Sequence, residues 1–216
     1  MGKINQGILD GFNGKVGTVV GYKVHGKKVM RAYVDKVKDP RTAKQLDARL
    51  RFKTLAALAV GFLAAGKQGL DSIAKSCRHT VANSFMRINQ GAVHAEGGVA
   101  EVEYSELVCS QGPLPQVSFS AASFEEPLKV SVDFAPNSDT PGADADDDVY
   151  LFVYEPLSAQ GLLSAPVKRS TGAVEMRMPS TWSGLTVHVY GFAIGAGRDN
   201  TGKRSRSAFV GTGNVG

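Results

Sequence analysis

The repeat of the apolar residues changes near Gly91, from the spacing of a helix to the alternation of a strand. Before this point, two sets of apolar residues recur at steps of three to five positions, as they do on one face of a helix. They are Leu46, Leu50, Leu55, Leu58 and Phe62, followed by Ile73, Cys77, Val81, Phe85 and Ile88. This pattern predicts two amphipathic helices.

Start and stop signals bound the two helices. Asp39-Pro40 is a favourable start, because Asp accepts hydrogen bonds from first-turn amides and Pro has no amide to leave unpaired. Gly66 supplies a stop for the first helix, and Gly91 follows the second. The short link after Gly66 makes the two helices antiparallel neighbours. Residues 39–91 are therefore predicted to form a helical hairpin.

Beyond Gly91, short segments alternate apolar and polar residues, and Pro, Gly, Asn or Asp separates them. In the clearest case, 128–134, apolar residues alternate with Lys129, Ser131 and Asp133, as in a strand with one buried and one solvated face. Short strands that follow one another with turn residues between them predict an antiparallel β-sandwich. The predicted strands are 99–104, 117–120, 128–134, 149–154, 162–168, 173–178, 185–194 and 207–210.

The single tryptophan marks one corner of the predicted sandwich. Trp182 lies between two predicted strands, in a segment that resembles the corner of immunoglobulin-like and fibronectin type III sandwiches, where a bulky aromatic residue closes the core. The chain has only 2 Cys, Cys77 and Cys109, and Cys77 lies on a predicted helix. We therefore expect the architecture of these sandwiches without the inter-sheet disulfide of antibody domains.

Glycine punctuates the first 38 residues of the chain. Five glycines separate short β-rich pieces such as 16–20 and 29–34, and a hairpin is expected to turn near His25-Gly26-Lys27. The expected fold class is α+β. It comprises an N-terminal β-ribbon (1–38) and a two-helix hairpin (39–91), followed by an antiparallel immunoglobulin-like β-sandwich (92–216).

The positive charge is concentrated in the first quarter of the chain. The 216 residues carry a net charge of +5, but residues 1–53 have 13 Lys or Arg against 4 Asp, a net of +9. This asymmetry favours a polyanionic partner or an acidic surface of another protein copy. The predicted contact residues are Lys15, Lys23, Lys27, Lys28, Arg31, Lys36, Lys38, Arg41 and Lys44, with Tyr22 and Tyr33 available to stack on bases.

Side chains that carry enzymatic or metal chemistry are not grouped in the sequence. Cys77 and His79 are close, but Cys77 belongs to the apolar helix stripe, where a free Cys behaves as a small hydrophobe. The acidic segment 139–148 lacks the Gly and Glu positions of an EF-hand loop and is interpreted as a solvated loop, with cation binding there left open. We therefore expect no catalytic, cofactor-binding or metal-binding residues, no cofactor, and, without a run of about 18 apolar residues, no membrane span.

Four segments of the chain resemble an uncharacterised family. They are Met1–Leu9 (MGKINQGIL), Gly14–Gly21 (GKVGTVVG), and Asp39–Gln45 with Arg49–Phe52. They are similar to a domain-of-unknown-function family whose members have about this length and come from anaerobic gut bacteria and their phages. The resemblance implies helices followed by a β-rich half and a phage context, and it carries no catalytic residues.

These observations favour a non-enzymatic structural or assembly protein, such as a phage virion component. We expect it to act by protein–protein contacts through the basic N-terminal arm and the sandwich. The expected partners are other copies of the chain or virion proteins, and the expected location is the virion or the bacterial cytoplasm. The alternative is a sequence-independent nucleic-acid-binding protein that uses the same basic segment.

Overall fold

The chain forms two compact units, Met1–Thr42 and Ala43–Gly216, which we call the N-terminal unit and the C-terminal unit. The computed structural model describes residues 3–4, 12–24, 26–36, 39–136, 140–197 and 200–216. Its fold class is α+β, which confirms the prediction. Among these residues, no helix combines the length and apolar character needed to cross a membrane.

The N-terminal unit is a four-stranded antiparallel sheet. Its strands, which neighbour one another in chain order, are β1 (Lys3–Ile4), β2 (Phe12–Val16), β3 (Val19–Val24) and β4 (Lys27–Ala32). Gly17, with φ of 59°, and Thr18 turn between β2 and β3, so the β-rich piece expected over 16–20 is divided between two strands. Val24 pairs with Lys27, which confirms the predicted hairpin. His25 lies outside the described residues.

Four helical segments replace the two predicted helices of the C-terminal unit. They are α1 (Ala43–Gly61), α2 (Leu63–Gly69), α3 (Asp71–Cys77) and α4 (Val81–Ile88). The first helix begins at Ala43 rather than at Asp39-Pro40, because Arg41 has a positive φ of 47° that a helix does not allow. The predicted second helix is broken, because Arg78 is left-handed and Thr80 caps a new helix by accepting from the Asn83 amide at 3.1 Å.

Two glycines at helix ends permit a close approach of residues from elsewhere in the chain. A Cβ on Gly61 would lie 2.5 Å from the ring of Tyr154, and a Cβ on Gly69 would lie 2.5 Å from the backbone oxygen of Cys109. Only glycine fits at these two positions. The first predicted helix therefore ends at Gly61 and not at Gly66, and a second short helix follows it.

The remaining strands form two packed sheets and a separate hairpin. They are β5 (Val93–Glu96), β6 (Val99–Val102), β7 (Ser118–Phe119), β8 (Lys129–Ala135), β9 (Asp148–Glu155), β10 (Gln160–Leu163), β11 (Val167–Lys168), β12 (Ala173–Arg177), β13 (Thr186–Ile194) and β14 (Ala208–Asn214). A five-stranded sheet has the order β10-β9-β13-β14, with β11 also paired to β9, and a three-stranded sheet has the order β12-β8-β7. Each predicted strand overlaps an observed one, but β5 is not predicted and 162–168 holds parts of two strands.

The five-stranded sheet is buried on both faces. Val149, Leu151 and Val153 on β9 face the three-stranded sheet in a core that includes Trp182, which is 2% exposed at its predicted corner. Phe152 and Tyr154 on the same strand belong to a second core with the helices. The C-terminal unit therefore has three layers, with the five-stranded sheet between the helices and the smaller sheet.

Phe62, between α1 and α2, joins the helices to this sheet. It is fully buried, and its ring centroid lies 4.7 Å from that of Tyr154, 4.9 Å from Phe152, 5.0 Å from Phe85 and 5.3 Å from Tyr190. Aromatic pairs at these separations stabilise a fold by more than the burial of their apolar surface alone would. The Phe62 side chain, at the junction of α1 and α2, therefore contacts α4 and the two strands β9 and β13.

Replacement of Phe62 by Ala should destabilise the chain by about 3 to 5 kcal/mol, because it leaves a cavity among four rings. The matched control is Phe52→Ala on α1, since Phe52 is 63% exposed and its loss should change the free energy of unfolding by less than about 0.5 kcal/mol. Urea denaturation followed by Trp182 fluorescence measures both values. Equal losses in the two variants would contradict the role given to Phe62.

Candidate functional site

The predicted contact residues do not lie on one surface. Lys38 lies outside the described residues, and Lys44 lies on α1 in the C-terminal unit. Lys36 and Arg41 follow β4, and Arg41 Nε lies 3.6 Å from the carboxylate of Asp39. The five that lie on the N-terminal sheet are Lys15, Lys23, Lys27, Lys28 and Arg31.

Strand register divides these five cations between the two faces of the sheet. Val20 pairs with Lys15 on β2 and with Arg31 on β4, so these two cations share a face. Lys23 pairs with Lys28, and alternation along the strands puts both on the opposite face. Lys27 lies on the same face as Arg31, because the two residues are four positions apart on one strand. The expected basic ribbon is therefore two separate basic surfaces.

On one face, cations lie over aromatic rings. Lys15 Nζ lies 3.3 Å from the ring centroid of Tyr33, and Arg31 Cζ lies 5.8 Å from that of Tyr22. The attraction between a cation and an aromatic ring holds these charged groups above the face. We call it the tyrosine face and define it by Lys15, Tyr22, Lys27, Arg31 and Tyr33.

The opposite face has almost no side chain at its centre. Gly14 pairs with Gly21, and the Phe12 ring lies over Gly21, where a Cβ would approach it to 3.0 Å. Gly21 is the only buried residue among the described residues of this unit. We call this the glycine face and define it by Gly14, Gly21, Lys23, Lys28 and Met30. The part of the sheet whose burial the structure describes therefore has almost no core of its own.

The outer edge of the sheet is the strongly basic strand β4. Lys27, Lys28 and Arg31 lie on this strand, which pairs only with β3 in the sheet order. Charged side chains on an edge strand discourage pairing with the strand of another molecule. A partner is therefore expected on a face of the sheet rather than at this edge.

A small acidic surface lies on the C-terminal unit, at the hairpin of β5 and β6. Glu96, Glu101 and Glu103 are exposed there, and Val99 at the turn is 63% exposed. His94 Nε2 lies 3.8 Å from Glu103 Oε1. We call this surface the acidic hairpin. It combines negative charge with an exposed apolar residue, and so complements the tyrosine face.

Cys77 is exposed, which corrects the expectation that it belongs to a buried helix stripe. It is the last residue of α3, because the left-handed Arg78 breaks the predicted helix at this point. Arg87 Nη1 donates a long hydrogen bond of 3.7 Å to its sulfur. The buried cysteine is Cys109, and burial raises the pKa of its thiol to about 12.

The acidic segment 139–148 is only in part the solvated loop expected from its composition, because Asp146 is exposed but its neighbour Asp147 is not. Asp147 is fully buried, and its Oδ2 accepts a hydrogen bond of 3.0 Å from the buried Arg169 Nη1. Lys168 Nζ lies 2.8 Å from Asp148 Oδ1. A buried carboxylate needs a cation beside it, and Arg169 on the adjacent turn supplies one. Asp139 lies outside the described residues.

No metal-binding cluster forms in the part of the chain that the structure describes. No group of three His, Cys, Asp or Glu side chains is close enough there to hold an ion. The carboxylates of Asp147 and Asp148 are already paired with Arg169 and Lys168.

The C-terminal unit also contains a cleft that sequence reasoning missed. It has a volume of about 1030 Å³ and is lined by α3, α4 and the residues 105–108 and 206–209. Ser84, Arg87 and Arg206 are among its lining residues. No motif signals the cleft, because the residues 206–209 of its second wall lie more than 100 positions after α4 in the chain.

These observations define an α+β protein in which a β-sandwich is covered by helices and preceded by a separate basic sheet. The sequence pattern of a family of unknown function, DUF6266, matches residues 11–211. The chain therefore belongs to this family, which confirms the resemblance to an uncharacterised family seen in its sequence. No curated protein matches the sequence.

Iodoacetamide should alkylate one cysteine per folded chain at neutral pH. Cys77 is exposed, whereas Cys109 is fully buried and, with its pKa near 12, is almost entirely in the unreactive thiol form. Mass spectrometry of a digest identifies the modified residue, and unfolding in urea should make both cysteines react. Rapid modification of Cys109 in the folded chain would contradict this placement.

Proposed function

We propose that the protein is a non-enzymatic assembly protein whose tyrosine face binds the acidic hairpin of a second copy. The observation that carries this proposal is the lack of a core in the described part of the N-terminal sheet. Among the residues of that unit whose burial the structure describes, only Gly21 is buried. Contacts with a partner would supply the burial that the unit lacks.

The energetics of sheets support a partner for this unit. Strands gain stability when one face packs on a second layer, and a sheet without such a layer is marginal in water. On the tyrosine face, Val24 and Tyr33 are exposed, at 41% and 40%. Burying apolar surface contributes about 25 cal/mol per Å², so a partner that covers these side chains stabilises the sheet.

The charges of the two units support a second copy as that partner. The N-terminal unit carries 9 Lys or Arg against 3 Asp, whereas the C-terminal unit carries 16 against 17 Asp or Glu. Opposite charges on two surfaces of one chain favour head-to-tail contact between copies, which forms rings or open chains. Repeating contacts of this kind suit a virion component, in agreement with the phage context that the family resemblance implies.

The tyrosine face is the better match for the acidic hairpin. Lys15 and Arg31 are held over Tyr33 and Tyr22, so little side-chain freedom remains to be lost on binding. Val24 lies on the same face and is partly exposed, as Val99 is on the hairpin.

Light scattering of charge-reversal variants tests the proposal. The wild type should exceed the monomer mass at high concentration and low salt. Lys15→Glu with Arg31→Glu, and separately Glu101→Lys with Glu103→Lys, should each abolish association. An equal mixture of the two variants should associate again, because the reversed charges attract. Lys23→Glu with Lys28→Glu is the matched control, and it should weaken association much less.

Two results would overturn this assignment. One is a wild type that stays monomeric at every concentration, or charge-reversed variants that do not recombine. The other is retention of the wild type on duplex DNA at low salt, with a steep salt dependence that disappears in the Lys15→Glu, Arg31→Glu variant. That second result would assign the tyrosine face to nucleic acid.

A further inference from the structure

The cleft of about 1030 Å³ in the C-terminal unit lies at the edge of the helical layer. One wall is formed by α3 and α4, and the other by the segments 105–108 and 206–209. Its volume is at the upper end of the range of small-molecule sites, which is roughly 300 to 1,000 Å³. The cleft lies within one compact unit and does not involve the N-terminal sheet.

Ser84 gives the cleft a buried hydroxyl group without a partner. The residue is 2% exposed, and its Oγ makes no hydrogen bond with any of the residues that the structure describes. A buried polar atom that lacks a partner is costly, so native proteins pair nearly all such atoms. In a wall of this cleft, Ser84 Oγ is available to a bound molecule.

Two arginines give the cleft a positive charge. Arg87 lies three positions after Ser84 on α4, so both side chains lie on the same side of that helix, and Arg206 lies on the other wall. Neither arginine forms an ion pair with a described residue. Among the residues that the structure describes, the only hydrogen-bond partner of the Arg87 side chain is the sulfur of Cys77, which is a weak acceptor. Glu106 is the single carboxylate among the lining residues.

The rest of the lining combines polar residues, such as Asn89 and Gln111, with an apolar part. Ile73 and Ile88 line the helical wall, and Leu107, Val108 and Phe209 line the opposite wall. Ligand sites commonly combine such apolar surface with a few polar groups that fix the orientation of the bound molecule. The cleft therefore suits a molecule with an apolar body and one anionic group.

We propose that this cleft binds an organic anion with an apolar body. Arg87 and Arg206 neutralise its anionic group, and the Ser84 hydroxyl donates a hydrogen bond to it. The apolar body lies against Leu107 and Phe209. This site is separate from the assembly surface, and it requires no second copy of the chain.

Fluorescence titration of the full chain with 1-anilinonaphthalene-8-sulfonate, an aromatic sulfonate, tests the site. The probe should bind the wild type saturably, and Arg87→Gln with Arg206→Gln should weaken binding by about tenfold or more, as expected for loss of charged hydrogen bonds. Arg177→Gln, on β12 outside the cleft, is the matched control and should bind as the wild type does. Equal affinity in the double variant and the control would overturn the proposal.

Ser84→Ala separates a ligand contact from a structural role. Removal of an unpartnered hydroxyl should leave the melting temperature unchanged or raise it, while the affinity for the probe falls several-fold. A lower melting temperature with unchanged affinity would show that the hydroxyl serves the fold and would remove it from the site.

Alkylation of Cys77 confirms where the probe binds, because this thiol lines the cleft. Saturating probe should slow the reaction of Cys77 with iodoacetamide. Octanoate should displace the probe and itself slow the alkylation of Cys77. Unchanged alkylation would place the probe elsewhere and overturn the proposal. Displacement by inorganic phosphate as effective as that by octanoate would overturn the requirement for an apolar body.

Discussion

The contact of Phe62 with four aromatic rings holds the C-terminal unit together as three layers. Its partners Phe152, Tyr154 and Tyr190 lie on the face of the five-stranded sheet that points away from the smaller sheet, so the helices cover what would otherwise be an exposed aromatic surface. The same strands bury their alternate residues in the sandwich core beside Trp182. Both faces of the sheet are thereby used within one unit. The N-terminal sheet has no comparable layer among its own described residues, and this contrast is the physical basis for treating it as the part that binds a partner.

Local sequence patterns predict most of this fold, because strand alternation and helix periodicity are short-range properties. The strand over 128–134 follows from its alternation, and the corner at Trp182 from its place between two strands. The ends of α1 at Gly61 and of α2 at Gly69 cannot be predicted from local patterns, because these glycines contact residues far along the chain. The covering of the sheet by helices has a signal in the sequence, since 149–154 and 187–194 are nearly continuous apolar runs. Such runs are typical of strands buried on both faces, not of a two-layer sandwich.

The candidate sites could be predicted only in part. Composition identifies the basic segment, but its division into two faces depends on the turn at Gly17 and Thr18, because a shift of one residue in register moves a side chain to the other face. The exposure of Cys77 depends on the left-handed Arg78, which no helical repeat indicates. Ser84 and Arg206 line one cleft because the chain returns to the helices between β13 and β14, and no local pattern encodes that return. The buried pair of Asp147 and Arg169 likewise depends on tertiary contacts.

Hydrogen exchange of the full chain, followed strand by strand at several protein concentrations, tests the contrast between the two units most directly. In dilute solution the amides of β9 and β13 should exchange slowest, together with those of α1, because Phe62 makes the helices and the sheet one cooperative unit. The amides of β3, central in the N-terminal sheet, should exchange much faster and become protected as the concentration rises. Protection of β3 equal to that of β13 in a solution where light scattering gives the monomer mass would contradict this account, since the sheet would then be stable without a partner.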